Sequence, residues 1–452
     1  MTDRHVGIVG LGYVGLPLAI AFTEAGLKVT GVDSSSLRVE TLNAGRSPID
    51  DIDDVRLQGA LRAGLRVLPN DPAELGPCDV LVVCVPTPLN RSKDPDLAPV
   101  ISAAQLIRAA LRPGCLVILQ STTFPGTTNG PFREELERSG LVAGRDFDLA
   151  FAPERVNPGD PSSSGRGVPR LVGGTTHEAT QRAKRLFEHI NATVVPLSSP
   201  DAAELAKLLE NVFRNVNIAL VNQLALLCER MNLDVWEVID AAATKPFGFM
   251  PFRPGPGVGG HCIPVDPYYL AWRAREFDFV DRFIELAGDI NLAMPRHVVD
   301  LASLALNEVS VAMRGARVGV VGVAFKPNVQ DARNTPASDV IALLLERGAT
   351  VTYHDPYVPE VRDARGNVHR SVPLETLLDE CQLVVVVTPH ACLDWDSIYE
   401  HAKLVVDTCN SSRGNVRAPY QVLRLGAGWA APDRPQAKTL SADAGAEFRR
   451  LP

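Results

Sequence analysis

The sequence contains no CxxC pair and no group of histidines and cysteines at zinc-binding spacing, although it has eight cysteines. No metal site is therefore predicted, and the scattered cysteines are expected to be thiols in a reducing compartment. No apolar run reaches the length of a membrane span. The net charge of -8 excludes the broad basic face that a nucleic acid requires, so any phosphate is expected at a local site.

The composition is that of an ordinary globular protein, with 46% hydrophobic and 22% charged residues. A length of 452 residues exceeds what one hydrophobic core usually supports, so two or three domains are expected. A strand-like run begins at Val6, which leaves no space for a secretory signal sequence. We therefore expect a soluble, cytoplasmic protein.

The start of the chain follows the order strand, glycine-rich turn, helix, strand. The segments are a strand over His5–Val9, a turn with Gly10, Gly12 and Gly15, a helix over Leu16–Ala25, and a strand over Lys28–Val32 that ends at Asp33. Such glycines allow a tight turn and a close approach to a pyrophosphate at the helix N-terminus. Asp33 can accept hydrogen bonds from ribose hydroxyls and would repel a 2'-phosphate, so NAD is predicted rather than NADP. Arg38 either stacks on the adenine or pairs with Asp33.

Three further apolar runs predict buried parallel strands, over Val80–Val85, Leu116–Leu119 and Asp148–Phe151. Polar turns follow them and carry Thr87, Thr122 and Glu154. In an open α/β sheet, ligands bind outside the carboxyl ends of the strands. These three side chains are therefore expected to face one crevice, although each is also compatible with a simple turn or capping role, above all Thr87.

A long helix is predicted over Asp201–Met231, with a wide apolar stripe. Such a helix suits a segment that joins two domains and packs against a second copy of the chain. Lys207 and Asn211 are four residues apart and share one face of it. The ammonium group either extends to solvent or faces an anion, and the neighbouring amide favours the second interpretation.

The segment Gly257–Pro267 is rich in glycine and proline and presents Cys262, with Asp266 four residues later. By itself Cys262 is equally compatible with a small buried side chain and with a reactive thiol. The preceding stretch, Lys245–Pro256, is rich in aromatic residues and proline, and we interpret it as the wall of a binding site in which Arg253 contacts a phosphate or a sugar.

Helical patterns follow over Pro267–Arg275 and Asp281–Met313, and a second α/β unit then begins with a strand over Arg317–Val323. This unit lacks the GxGxxG turn. Its first strand leads instead to Phe325 and Lys326, and an aromatic ring beside cations suits a base and its diphosphate. Its other predicted elements are a helix over Pro336–Arg347 and strands over Thr350–His354, Leu383–Val387 and Leu404–Val406.

These residues suggest a reaction. An alcohol oxidised by NAD gives an aldehyde, to which a thiolate can add, and a second hydride loss gives a thioester that water hydrolyses to a carboxylate. This chemistry needs a nucleophile, donors for the oxyanion and a base for the water. Cys262, the pair Lys207 and Asn211, and Asp266 fit these needs in turn.

Seven motifs make the chain similar to the nucleotide-sugar 6-dehydrogenases, the family of UDP-glucose and GDP-mannose dehydrogenases. They are GLGYVGLP (Gly10–Pro17), PTPL (Pro86–Leu89), STTFPGTT (Ser121–Thr128), APER (Ala152–Arg155), ELAKLLENVFRNVNIAL (Glu204–Leu220), GGHCIPVDP (Gly259–Pro267) and AFKPNVQDARNTP (Ala324–Pro336). The resemblance extends from Val6 to about Asn410. Within the family, the stretches around Cys262 and after PTPL resemble most closely the branch that oxidises UDP-N-acetylglucosamine.

The resemblance implies roles for named residues. Cys262 forms the thiohemiacetal and thioester, Asp266 with Thr122 positions or activates water, Lys207 and Asn211 stabilise the oxyanion, and Glu154 assists acid-base chemistry. Cofactor contacts are implied for Gly10, Gly12, Tyr13, Val14, Gly15, Asp33, Arg38, Pro86, Thr87 and Thr122. Substrate contacts are implied for Glu154, Arg155, Lys207, Asn211, Arg253, Gly259, Phe325, Lys326 and Arg333.

The expected fold is α/β, with two Rossmann-like doubly wound domains joined by a long central helix. The expected divisions are an NAD-binding domain (1–198), a central helical domain with the cysteine loop (199–313), a UDP-sugar-binding domain (314–430) and a tail (431–452). One departure from the family is Cys409, which stands where relatives carry an arginine, and Arg413 is a candidate replacement.

The main expectation is NAD-dependent oxidation of a UDP-N-acetylhexosamine, with UDP-N-acetylglucosamine first, by a homodimer formed through the central helix and serving polysaccharide biosynthesis. Oxidation of UDP-glucose is the nearest alternative. A one-step β-hydroxyacid dehydrogenase would use Lys207 and Asn211 but not Cys262. A catalytically silent NAD-binding scaffold is the alternative that Cys409 suggests.

Overall fold

The computed structural model describes residues 5–49, 52–90, 93–155, 167–412 and 416–430. The expected tail (431–452) and Arg413 lie outside the described residues. The chain divides into two compact units: the first comprises Met1–Val212 and Val265–Asp281, the second Phe213–Pro264 and Arg282–Pro452. The division into domains at residues 198 and 313 stays a prediction.

Within the described residues, the first unit contains one eight-stranded sheet. Its strands are β1 (His5–Val9), β2 (Lys28–Asp33), β3 (Arg66–Pro69), β4 (Val80–Val83), β5 (Leu116–Leu119), β6 (Asp148–Phe151), β7 (Arg170–Gly174) and β8 (Val194–Leu197). Their order is β3-β2-β1-β4-β5-β6-β7-β8, and only the β6–β7 pairing of this sheet is antiparallel. The first six strands have the order of a dinucleotide-binding sheet. The predicted Rossmann-like fold is therefore confirmed here.

Helices cover both faces of this sheet. They are α1 (Gly15–Glu24), α2 (Ser36–Asn43), α3 (Asp54–Arg62), α4 (Pro72–Leu75), α5 (Ala98–Ala110), a π-helical turn (Thr128–Phe132), α6 (Arg133–Glu137) and α7 (His177–Phe187). Successive strand residues point into opposite cores: Ile8 packs in the core that contains α1 and α7, whereas Val9 packs in the core that contains α5 and α6. Burial on both faces explains why these strands are uninterrupted apolar runs.

The long helix α8 (Pro200–Met231) contains 32 residues, and the predicted helix over Asp201–Met231 is confirmed. It belongs to the first unit up to Val212 and to the second from Phe213. The helices that follow are α9 (Val235–Ala243), α10 (Asp266–Arg275) and α11 (Arg282–Glu308). The predicted extension of the last helix to Met313 is wrong, because the chain turns into the left-handed region at Ser310, where φ is 58°.

Within the described residues, the second unit has a six-stranded sheet of order β10-β9-β13-β14-β15-β16 and a hairpin, β11–β12. The strands are β9 (Arg317–Val321), β10 (Thr350–His354), β11 (Glu360–Arg362), β12 (Val368–Arg370), β13 (Leu383–Val386), β14 (Val405–Asp407), β15 (Val422–Arg424) and β16 (Gly428–Trp429). Its helices beside α11 are α12 (Pro336–Glu346), α13 (Leu374–Glu380) and α14 (Trp395–His401). The second Rossmann-like sheet is thus confirmed, with two short strands, β15 and β16, that the sequence did not predict. In the described part of the chain, no helix combines the length and hydropathy needed to cross a membrane.

Candidate active site

The glycine turn between β1 and α1 leaves space where a dinucleotide needs it. A Cβ atom on Gly10, where φ is 94°, would lie 2.6 Å from the carbonyl oxygen of Cys84, and one on Gly15 would lie 1.8 Å from the carbonyl oxygen of Gly10. These two glycines are therefore required by the fold. A Cβ on Gly12 would meet nothing within 4 Å, so this glycine keeps the turn open toward a ligand. Tyr13, which is exposed, and Val14 complete the turn.

Asp33 ends β2 beside this turn, and its carboxylate organises the turn. Its Oδ2 atom accepts a hydrogen bond from the backbone N–H of Leu11 at 2.8 Å, and its Oδ1 atom accepts one from Ser35 at 2.9 Å. The guanidinium of Arg38 lies 3.1 Å from Oδ2. Of the two roles open to Arg38, the structure therefore shows the pairing with Asp33.

The residues predicted for one crevice follow neighbouring strands. Strands β4, β5 and β6 are parallel and adjacent, and their last residues are in register. The turns after them carry Pro86 with Thr87, Thr122 and Glu154, so all four residues lie at the carboxyl edge of the sheet. The backbone carbonyl of Thr87 accepts a hydrogen bond from the hydroxyl of Tyr269.

The APER turn after β6 is held by charge pairs. Glu154 accepts hydrogen bonds from Arg170 at 2.7 Å and from Gln120 at 3.2 Å. Arg155 lies 2.6 Å from the carboxylate of Glu210 on α8. The side chains of Glu154 and Arg155 are only partly buried. Glu154 is fixed beside the crevice by Arg170, which was not predicted as a site residue.

Helix α8 also holds the turn that contains Thr122, through a residue that the sequence analysis missed. The buried carboxylate of Glu204 accepts hydrogen bonds from the backbone of Gly126 at 2.7 Å and from the backbone and hydroxyl of Thr128 at 2.9 and 2.6 Å. Burial raises the pKa of Glu204 to about 7, although these hydrogen bonds oppose the shift. The sequence signal for this role is the position of Glu204 itself: an acidic residue in the apolar face of α8, three residues before Lys207.

The structure brings Lys207, Asn211 and Asp266 together as a buried cluster. The amide of Asn211 donates a hydrogen bond to Asp266 at 2.5 Å. The side chain of Lys207 is buried rather than extended to solvent, which decides between its two predicted settings. Burial raises the pKa of Asp266 to about 7, while the charge of Lys207 and the hydrogen bond from Asn211 oppose the shift. A carboxyl with a pKa near neutrality, beside two hydrogen-bond donors, is suited to acid-base chemistry.

Helix α10 fixes the position of this carboxylate. Asp266 is the first residue of α10, where the helix dipole favours a negative charge. One turn later, the fully buried Tyr269 anchors α10 to the turn after β4 through its hydrogen bond to Thr87. The cluster and the carboxyl edge of the first sheet are therefore parts of one packed region.

The cysteine loop belongs to the second unit as far as Pro264, and it packs against the segment that follows β9. Gly260, where φ is 92°, contacts this segment so closely that a Cβ atom would lie 3.0 Å from the Phe325 ring, and one on Gly259 would lie 2.9 Å from the carbonyl oxygen of Asn334. His261 lies 3.0 Å from the carboxylate of Asp331. Cys262 is exposed, so the alternative of a buried structural cysteine is wrong.

Three cationic side chains that are predicted to contact the substrate lie in the second unit, and each has a different partner. The ammonium of Lys326 lies 5.6 Å from the centre of the Phe325 ring, and both residues are half-buried. Arg333 makes two hydrogen bonds with the carboxylate of Asp331, at 2.9 and 2.7 Å. Arg253 forms an ion pair with Asp240.

The side chain of Cys409 makes a hydrogen bond within the second unit. Its thiol donates a hydrogen bond to the carbonyl of Val387 at 3.1 Å, and burial raises its pKa to about 12. This thiol therefore carries no charge toward a ligand near neutral pH. Arg424 is the cation that the structure places beside this position: it donates a hydrogen bond to Asn410 at 3.2 Å and pairs with Asp234 at 2.6 Å. No group of three or more His, Cys, Asp or Glu residues in the described segments is arranged to hold a metal ion.

Comparison with known proteins gives matches along almost all of the described chain. Three family models match: the NAD binding domain (residues 4–191), the central domain (201–293) and the UDP binding domain (319–413) of the UDP-glucose/GDP-mannose dehydrogenase family. A UDP-N-acetyl-D-glucosamine 6-dehydrogenase of Pseudomonas aeruginosa is 39% identical over 360 residues, which cover 79% of this chain and 84% of the relative.

Solved structures extend this similarity to the fold. The UDP-D-ManNAc dehydrogenase of Pyrococcus horikoshii is 33% identical, with a TM-score of 0.85 over 94% of this chain and 99% of that one. A UDP-glucose dehydrogenase of Pyrobaculum islandicum is 28% identical, with a TM-score of 0.83 over 95% of this chain and 98% of that one. The chain therefore belongs to the UDP-glucose/GDP-mannose dehydrogenase family of NAD-dependent oxidoreductases, and it contains the NAD binding, central and UDP binding domains of that family.

Proposed function

We propose that this enzyme oxidises the C6 hydroxymethyl group of a UDP-N-acetylhexosamine, with UDP-N-acetylglucosamine first, to the uronic acid. The observation that carries the proposal is the buried cluster of Lys207, Asn211 and Asp266, because it combines oxyanion donors with a carboxyl whose pKa is raised to about 7. The exposed Cys262 supplies the nucleophile that the second oxidation needs. The product would serve polysaccharide biosynthesis.

Relatives support an N-acetylated sugar. Beside the Pseudomonas protein, a UDP-N-acetyl-D-glucosamine 6-dehydrogenase of Salmonella typhi is 35% identical over 81% of this chain. Oxidation of UDP-glucose is the second candidate, since the Pyrobaculum structure is similar over almost the whole chain. A one-step β-hydroxyacid dehydrogenase would have no use for Cys262, and a silent scaffold would have no need for a buried charged cluster, which costs stability.

In the first oxidation, the substrate hydroxyl loses its proton and C6 loses a hydride, which leaves an aldehyde. NAD, when bound at the turn of Gly10, Gly12 and Gly15, accepts the hydride. Glu154 assists the proton transfer, and Lys207 and Asn211 donate hydrogen bonds to the substrate oxygen. Asp33 would hold the ribose of the cofactor, and Pro86, Thr87 and Thr122 would contact the cofactor at the carboxyl edge of the sheet.

In the second oxidation, the thiolate of Cys262 adds to the aldehyde carbon and forms a thiohemiacetal. The thiohemiacetal then loses its hydroxyl proton and a second hydride, which a second NAD would accept, and becomes a thioester. When water attacks the carbonyl, the electron pair of the C–S bond returns to sulphur. Asp266, helped by Thr122, accepts the proton of that water. The uracil and diphosphate are held by Phe325 and Lys326, with Arg155, Arg253, Gly259 and Arg333 around the sugar nucleotide.

The stoichiometry of NADH tests the reaction and the substrate together. With limiting UDP-N-acetylglucosamine, we expect two NADH per sugar nucleotide and a uronic acid product by mass spectrometry. UDP-glucose in parallel should react much more slowly. Two NADH from UDP-glucose alone would move the enzyme to the second candidate, and no NADH from either would contradict the proposal.

Replacement of Cys262 tests the covalent mechanism. The Cys262→Ala enzyme is expected to form no uronic acid at a measurable rate, because no thioester can form, while it still binds NAD in a fluorescence titration. Cys392→Ala is the matched control, since Cys392 is the other exposed cysteine of the second unit. Normal production of the acid by Cys262→Ala would rule out the thioester.

The raised pKa of Asp266 predicts a pH dependence. As base, Asp266 must be ionised, so turnover should fall as the pH drops below about 7, where the carboxyl takes up a proton. Asp266→Asn should lower turnover by about 10²–10⁴-fold and remove this acid limb. The hydrolysis step should then be slow, so the acyl group should accumulate on Cys262 in intact-protein mass spectra. An unchanged acid limb in this variant would assign it to another group.

A homodimer through the central helix is part of the proposal. In the second unit, the side chains of Leu220, Leu224, Leu227 and Met231 recur every three or four residues along α8, and they are 53%, 37%, 49% and 57% exposed. An apolar stripe of this length is typical of a surface that a second copy covers.

The mass in solution tests the dimer. Light scattering should give twice the mass of the chain for the wild type, and the monomer mass for the double variant Leu220→Glu, Leu227→Glu, because two buried charges in each copy would oppose association. Val368→Glu on β12, an exposed apolar position of the second unit outside α8, is the control and should stay dimeric. A dimeric double variant would place the interface elsewhere.

A further inference from the structure

We propose that His390 is a positioning residue for UDP-sugar binding, because its imidazole fixes the turn that carries Phe325 and Lys326. The inference rests on the nucleotide-binding role proposed above for those two residues. His390 follows β13 and is fully buried in the second unit. The sequence signal for this residue is its place after an apolar strand, at the carboxyl edge of the sheet.

The two ring nitrogens of His390 have different partners. Nδ1 lies 3.0 Å from the backbone nitrogen of Asn328, and Nε2 lies 2.9 Å from the carboxylate of Asp355. A backbone N–H can only donate, so Nδ1 must offer its lone pair. The proton of the neutral ring is then on Nε2, which donates it to Asp355. The partners thus assign one tautomer.

Asp355 is a rigid support for the ring because its carboxylate is held by the backbone. Oδ2 accepts hydrogen bonds from Val323 and Ala324 at 2.7 and 3.0 Å. Oδ1 accepts hydrogen bonds from Tyr357 and Val358 at 2.8 and 3.0 Å. The position of the imidazole is therefore tied to the ends of β9 and β10.

The turn from Ala324 to Asn328 is held at both ends by residues that follow β13. At one end, the hydroxyl of Thr388 donates a hydrogen bond to the carbonyl of Ala324 at 2.6 Å. At the other, Asn328 adopts a left-handed conformation, with φ of 63°, donates to His390 and accepts a hydrogen bond from the backbone of Ala391 at 2.8 Å. Phe325 and Lys326 lie between these two anchors, so loss of the Asn328 anchor should release them.

Two amide substitutions separate the roles of the two nitrogens. The shorter side chain of His390→Asn can place its oxygen near the position of Nδ1 and keep the acceptor for Asn328. The longer side chain of His390→Gln can place its amide near the position of Nε2 and keep the donor to Asp355, but it removes the acceptor. We expect His390→Gln to weaken the binding of UDP, measured by calorimetry, by about tenfold, and His390→Asn to weaken it much less.

Kinetics distinguish positioning from general damage. His390→Gln should raise KM for the UDP-sugar by about tenfold while kcat and KM for NAD change by less than about twofold, because the first unit is untouched. Asn328→Gly is a second test on the exposed turn: it keeps the left-handed conformation, removes the acceptor for Ala391 and should also weaken UDP binding. Equal losses in NAD and UDP binding, or unchanged UDP binding in His390→Gln, would overturn the inference.

A control separates this inference from the proposed function on which it rests. Lys326→Ala should weaken UDP binding if that residue holds the diphosphate. Weaker binding in Lys326→Ala with normal binding in His390→Gln and Asn328→Gly would reject the positioning role alone. Normal UDP binding in Lys326→Ala would reject the nucleotide-binding role of the turn, and the inference with it.

Discussion

The main constraint on the first unit is the buried carboxylate of Asp266, which lies beside the ammonium of Lys207 and the amide of Asn211. Removing Asp266 from water costs free energy, and the attraction of Lys207 together with the hydrogen bond from Asn211 offsets only part of that cost. The surrounding elements must therefore hold the three groups in place. Helix α8 supplies two of them, and α10 supplies the third and is anchored by Tyr269. Glu204 extends the same support to the turn after β5.

A carboxylate plays a similar part in the second unit, where Asp331 holds two loop segments rather than a reactive group. Asp331 accepts hydrogen bonds from His261 in the cysteine loop and from the guanidinium of Arg333, so it joins two predicted binding segments. Burial alone would raise the pKa of Asp331, but these hydrogen bonds hold it below its usual value. The loop that presents Cys262 and the segment after β9 are thereby fixed to each other.

Local patterns were enough to predict most of the fold and part of the site. Uninterrupted apolar runs located β5 and β6 to the residue, and the spacing of four between Lys207 and Asn211 placed both groups on one face of α8. The sequence did not predict which group each charged side chain contacts. The contacts of Arg253 and Glu204 depend on separate chain segments that no local period connects. Strands of two or three residues, such as β16, are too short to show any period.

An aspartate stands at the end of the second strand of each sheet: Asp33 is the last residue of β2, and Asp355 directly follows β10. The two carboxylates nevertheless differ in how many further hydrogen bonds they can accept. Two carboxylate oxygens offer about four lone-pair directions. Four backbone N–H groups and an imidazole already occupy those of Asp355, whereas Asp33 is held by two backbone N–H groups and a half-exposed arginine side chain that can move aside. Grafting the glycine turn onto the second sheet would therefore not create a second ribose site. His390 would first have to be replaced, because its imidazole already occupies the carboxylate of Asp355.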